Sequence, residues 1–242
     1  ARQTQQYADT IKTAAAKVVQ QSAYPTGNSL ADQLKIVARL VKGGLKTRVY
    51  MVSMGGFDNH ANQVNNTDKT TGTHANLLKT LSDAVKAFQD DLKFLGVEDR
   101  VLGMTFSEFG RRIKSNGSVG TDHGAAAPVF LFGKNVQPGV VGTNPIIPAN
   151  PTVQDNVAFQ YDFRSVYASI LESWFCVDNT TIQGLLLKNF QRLPVVNGAG
   201  CGITPPAASA GKIRNYPNPF ESQTTIEFTS NGGHTLLQVI DM

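Results

Sequence analysis

Apolar positions recur at spacings of three and four over four stretches of the chain, and each stretch predicts a helix with one buried face. The first is residues 7–19, from Tyr7 to Val19. In the second, Leu30, Leu34, Val37, Leu40 and Val41 form a stripe that Gly43 and Gly44 end. The third is the clearest, with Leu77, Leu81, Val85, Phe88, Leu92 and Leu95 aligned before Gly96. The fourth begins at Asp162, a residue type that caps free helix amides, and carries Phe163, Val166, Tyr167, Ile170, Leu171, Trp174 and Phe175 as a core stripe. Three short apolar runs without helical spacing, 48–54, 101–106 and 128–132, predict buried strands. Strand, helix and strand at these lengths predict an α/β fold, a parallel sheet with helices packed on its faces. Residues 139–151 hold three prolines and no period, the pattern of a surface loop.

After Pro194 the pattern changes. Residues 197–211 are rich in Gly, Ala, Pro and Ser, which makes them a linker by composition. Beyond it, 224–228 and 235–240 are β-type runs around the turn Asn231-Gly232-Gly233, the pattern of a hairpin. The expected organisation is therefore an α/β domain over 1–196, a linker over 197–211 and a partial β module over 212–242. Two strands do not make a stable sandwich alone, so the module is expected to continue or to be marginal.

Composition narrows the classes of function. With 41% hydrophobic and 17% charged residues among 242, the chain has the balance of a folded globular protein. Its net charge of +4 comes from basic residues scattered singly among acidic ones, with no basic stripe, so nucleic acid is not an expected partner. No apolar run reaches the length of a membrane span. Cys176 and Cys201 are compatible with a disulfide or with two buried thiols, and the sequence does not decide between them.

Ligands of open α/β sheets sit beyond strand ends, which directs attention to the polar residues there. Asp58 and His60 follow the first run, and Glu108, Arg111 and Arg112 follow the second. Asp122 and His123 precede the third. Oxygen and nitrogen donors without thiolates suit zinc, manganese, magnesium or calcium. Each short motif alone has a structural alternative, capping of turn amides. Their arrival at successive strand ends makes Asp58, His60, Glu108, Asp122 and His123 candidate metal ligands. Arg111 and Arg112 are candidate anion-binding residues, or partners of a local carboxylate. His74 opens the long helix, where a helix-terminal contact is expected, and His234 falls in the β tail as a surface residue.

The segments GGFDNHANQ (55–63), HANLLKTLSDAVKAFQDDLKFLG (74–96), SEFGRR (107–112), TDHGAAAPVFLFG (121–133) and DFRSVYASILESWF (162–175) resemble the bacterial domain-of-unknown-function family 1501, of the alkaline phosphatase and sulfatase superfamily. The resemblance implies a three-layer αβα sandwich, of which this chain is the C-terminal part, with metals at the strand ends. It also implies that Asp58 and His60 are a first ligand pair and His123 the late histidine, with Glu108 or Asp122 as the further acid. The family's N-terminal Gly-Gly-x-Ser region has no counterpart here, so the nucleophile is expected upstream of residue 1. The tail, YPNPF followed by TTIEF and LLQVIDM, resembles the start of a type IX secretion sorting domain. That implies cargo for the secretion machinery, placed outside or on the surface of a Gram-negative, Bacteroidetes-type cell.

The expected function is a secreted, metal-dependent hydrolase of small anionic phosphate or sulfate esters. The alternative is a surface binding protein that keeps the fold without turnover. For residues 1–242 alone, metal binding without appreciable hydrolysis is the expectation.

Overall fold

Ala31, Ala38 and Ala84 have no exposed surface, and their small side chains let helix α2 (Ser29–Lys42) lie close against helix α3 (Thr73–Phe94). The computed structural model describes residues 2–197 and, in the tail, 214–216 and 225–227. Around the alanines, Leu30, Leu34 and Val41 of α2 meet Phe88 and Leu92 of α3, with Leu95 and Val97 beyond the helix end. Each buried Leu or Phe contributes about 1.5–3 kcal/mol. Asn28 caps α2, its Oδ1 accepting from Ala31 N at 3.1 Å while its Nδ2 donates to Thr80 O on α3 at 2.9 Å. One side chain thus fixes the start of one helix and its position on the next. Helix α1 (Arg2–Ala16) packs on α2.

On α3 the predicted stripe is met in part, with Phe88, Leu92 and Leu95 buried and Leu81 packed on the core, while Leu77 and Val85 are only half-buried. Ala84, Ala87, Phe88, Asp91 and Leu92 are the buried residues of the helix. Asp91 is fully buried and accepts three hydrogen bonds, from Gln21 Nε2 at 2.7 Å, Ser22 N at 2.7 Å and Tyr24 Oη at 2.9 Å. This carboxylate pins the α1–α2 connection to α3. Burial, and next the Asp91 carboxylate, push the Tyr24 hydroxyl far above the ordinary phenol range.

The strands are short and antiparallel. After a 3-10 turn at Glu98–Arg100 come β1 (Gly103–Met104), β2 (Gly110–Arg111), β3 (His123–Gly124) and β4 (Leu131–Phe132). β1 pairs with β4, and β2 with β3, both antiparallel. This corrects the expected parallel sheet: the runs 101–106 and 128–132 meet antiparallel. A parallel return needs a crossover, usually a helix. Residues 105–130 contain no helix and fold back as the β2–β3 ladder instead.

Residues 48–54 form no ladder among the described residues, although they alternate as a strand does. Tyr50, Val52 and Met54 pack on the α2–α3 core, while Val49 and Met51 are 72% and 62% exposed. Val101 and Phe132 pack on that same core. Leu102, Met104 and Leu131 face the other way, toward Val166 and Ile170 of helix α4 (Phe163–Ser173). Helices therefore lie on both faces of an extended layer, a mixed α/β arrangement.

Asp162 caps α4, accepting from Arg164 N at 2.9 Å. Phe163 departs from the expected core stripe, since at 58% exposure it lies edge-on to Tyr167 instead. Helix α5 (Asn179–Leu186) is not foreseen by periodicity. Asp178 caps it, accepting from Thr181 N at 3.0 Å, and Ile182 buries it against Ala168 and Phe190. Cys176 is disulfide-bonded. No helix among the described residues is long and apolar enough to cross a membrane.

The chain divides into two compact units, Ala1–Gly200 and Cys201–Met242. In the second, β5 (Arg214–Tyr216) pairs antiparallel with β6 (Thr225–Glu227). Cys201, the linker from 198 to 211, the Asn231-Gly232-Gly233 turn, His234 and the run 235–240 lie outside the described residues.

Candidate metal centre

Two loops distant in sequence are joined main chain to main chain before any candidate ligand is considered. Asn62 N donates to Ser118 O at 2.9 Å and Gln63 N to Val119 O at 3.0 Å. Thr121 Oγ1 donates to Gln63 Oε1 at 2.8 Å. Gly120 sits against the main chain of His60, where a Cβ would meet the His60 carbonyl oxygen at 2.2 Å. The β2–β3 register sets Arg111 opposite His123. The loop carrying Asp58 and His60 is thereby held beside the strand carrying His123.

The consequence is a small triangle of donor atoms. Asp58 Oδ1 lies 3.0 Å from His60 Nε2 and 2.7 Å from His123 Nε2, and the two imidazole nitrogens are 3.2 Å apart. Bonds of about 2.0–2.2 Å meeting a divalent ion at roughly 90–110° separate neighbouring donors by about 2.8–3.6 Å. Two of the three separations fall in that range and the third, 2.7 Å, lies just below it, so the triangle is close to the size of one face of a coordination shell. Two imidazoles and one carboxylate suit a first-row ion such as zinc or manganese, whereas calcium and magnesium prefer oxygen donors. All three residues are exposed, so the remaining positions around an ion would open to solvent or substrate.

Each histidine is also supported from behind. His60 Nδ1 lies 3.3 Å from Asp122 Oδ1, and that oxygen accepts from Asn116 Nδ2 at 3.1 Å. The ring of His123 stacks on Phe109, with centroids 3.7 Å apart and planes 8° from parallel. Arg111 lies over the Phe109 ring at 5.1 Å. The hydrogen bond from His123, and next the charges of the two histidines, hold the Asp58 carboxyl below its usual range. Asn116, then His60, does the same for Asp122. Both acids are ready as anions.

The other candidates fall in different places. Glu108 is exposed and contributes no atom to the triangle. The Arg111 guanidinium donates to Thr121 O, to Phe57 O and, at 3.4 Å, to Asn59 Oδ1. Arg112 donates to His123 O at 3.2 Å, to Val153 O at 2.8 Å and to Gln154 Oε1. Both arginines thus clasp loop carbonyls, and an anion reaching either would share those donors. His74 stands edge-on to Phe57, its Nδ1 buried without a hydrogen bond, and burial followed by the Arg111 charge lowers its pKa. Its main-chain N–H donates to Gln63 O at 3.0 Å, which ties the start of α3 to the ligand loop.

Phe109 and Asn116 are the residues that sequence pattern does not single out. Phe109 stands between Glu108 and Gly110 with no periodic neighbour, and nothing in its spacing announces a stacking partner. The signal for Asn116 is faint, an Asn-Gly turn ahead of Asp122.

Fold and site together define a mixed α/β protein with a two-histidine, one-carboxylate cluster on joined loops. The chain belongs to the family described as protein of unknown function, DUF1501, whose model matches residues 3–183. No curated protein and no solved structure matches the chain.

Proposed function

We propose that this protein is a metal-dependent hydrolase of phosphate or sulfate esters, built on the alkaline phosphatase and sulfatase plan and exported to the cell surface. The observation that carries the reading is the convergence of Asp58 Oδ1, His60 Nε2 and His123 Nε2 within the span of one ion's coordination face. When bound, a divalent cation would polarise an ester oxygen and favour ionisation of an attacking hydroxyl or water. Asp58 would offset part of the ion's charge. A proton on His60 Nδ1 would face Asp122 and leave Nε2 free to ligate. His123 is held flat by Phe109. Helices on both faces of an extended layer agree with the three-layer plan. The YPNPF-led tail supports export through type IX secretion.

A non-catalytic surface protein that binds metal is the second reading. The engagement of both Arg111 and Arg112 by main-chain oxygens favours it, because much of each guanidinium's donor capacity goes to loop carbonyls rather than to a substrate anion.

Calorimetry with zinc, manganese, magnesium and calcium, followed by assays on aryl phosphate and aryl sulfate, separates the readings. Metal-dependent turnover that disappears in His123→Ala supports the hydrolase. Metal binding without turnover on a broad ester panel by the product of the whole reading frame supports the binding protein, since metal binding without hydrolysis is the expectation for residues 1–242 under either reading. No binding of any of the four ions overturns both.

A further inference from the structure

We infer that Asn116 is a positioning residue that sets the His60 ring for cation binding by holding it at both ends, an inference that rests on the metal reading above. Its amide has all four hydrogen-bonding directions filled. Oδ1 accepts from Ser118 N at 2.9 Å and from Gly120 N at 3.2 Å. Nδ2 donates to the His60 carbonyl at 2.9 Å and to Asp122 Oδ1 at 3.1 Å.

These partners fix which way the amide points. A flipped group would set its oxygen against a carbonyl and a carboxylate, and its NH2 against two N–H donors. The donor end therefore grips the main chain of His60 directly and its ring indirectly, through the carboxylate that faces Nδ1. With Asp122 Oδ1 anchored, a neutral His60 places its proton on Nδ1 and its lone pair on Nε2. That lone pair is the one aimed at Asp58 and His123. Released from Asn116, Asp122 could turn to solvent, and the Nε2–H tautomer would then be favoured by Asp58, 3.0 Å away. A proton on Nε2 would have to be displaced before that nitrogen could ligate, which weakens binding.

The substitution Asn116→Asp separates this role from loop building. It keeps an oxygen for the Ser118 and Gly120 amides and removes both donated hydrogens. The test uses the 15N-labelled full chain at a pH where imidazoles are neutral. Long-range proton–nitrogen spectra report the His60 tautomer without metal, and calorimetry reports zinc affinity. The wild type should show mainly the Nδ1–H form. Asn116→Asp should lose that preference with the Ser118 and Gly120 amide signals in place, and zinc affinity should fall about 10–100-fold. An unchanged tautomer, or a zinc affinity within twofold of wild type or above it, overturns the inference. If Asn116→Asp unfolds, Asp122→Ala takes its place, and an unchanged His60 tautomer there is equally fatal. A wild type that binds neither zinc nor manganese refutes the metal reading, while the tautomer comparison still decides the role of Asn116.

Discussion

Replacing Asp91 by alanine should destabilise the protein more than any single change at the candidate metal centre. The carboxylate has no exposed surface and receives three hydrogen bonds, one each from Gln21, Ser22 and Tyr24. A hydrogen bond to a charged group is worth about 1.5–3 kcal/mol net. Three of them would sum to more than the loss expected. Removing the charge also removes its desolvation cost, and water can reach the half-buried 21–24 segment once the anchor is gone. The range for breaking a buried charged network, about 3–5 kcal/mol, is the better expectation. Against a total of about 5–15 kcal/mol, such a loss lowers the urea midpoint severely or unfolds the chain at ambient temperature. Urea titration followed by circular dichroism gives the value, with Tyr24→Phe as the graded control that removes one donor and costs about 1.5–3 kcal/mol. A loss below about 1 kcal/mol for Asp91→Ala, with an unchanged urea slope, would refute the anchoring argument.

At the site, His123→Ala removes one of three ligands, and zinc affinity measured by calorimetry should fall further than the roughly 10–100-fold expected for a supporting residue. Phe109→Ala removes the stacked face behind His123, worth about 0.5–1.5 kcal/mol, so zinc affinity should fall about two- to tenfold in the same measurement. Asp162 has its pKa lowered from 3.8 to about 2, chiefly by the hydrogen bond from Arg164. A depressed acid stabilises the fold fully above its unfolded value and loses that contribution as pH falls through the folded one. Urea stability should therefore drop between about pH 4 and pH 2, and Asp162→Asn should flatten that part of the profile.

The helices were legible because a buried face repeats along them, and Asp162 announces one of their starts in ordinary cap chemistry. Two kinds of information were not local. Strand direction depended on whether a crossover helix intervenes, and residues 105–130 have none, so β1 and β4 meet antiparallel. Asp91 reads as one more polar position beside Leu92 until the 21–24 segment closes over it with three donors. Helix α5 is too short, and too rich in threonine at its start, for its single buried Ile182 to show as a period.

The candidate ligands illustrate the same division. Asp58, His60 and His123 were legible as polar residues in glycine-flanked turns beside apolar runs. The reason for their meeting was not, since it lies in the joining of 62–63 to 118–119 and in the β2–β3 register rather than in parallel strand ends. An exposed acid near two exposed histidines is a common surface accident. Here each ring is held on its far side, His60 by Asp122 and Asn116, His123 by Phe109, with Arg112 bonded to the His123 carbonyl. A mobile triad would have to lose side-chain rotamer freedom on meeting an ion, which opposes binding. Rings already fixed by their neighbours lose far less. The supports, more than the ligands, are what would separate a centre prepared for a cation from a chance cluster, and two of them, Phe109 and Asn116, are residues a pattern search passes over.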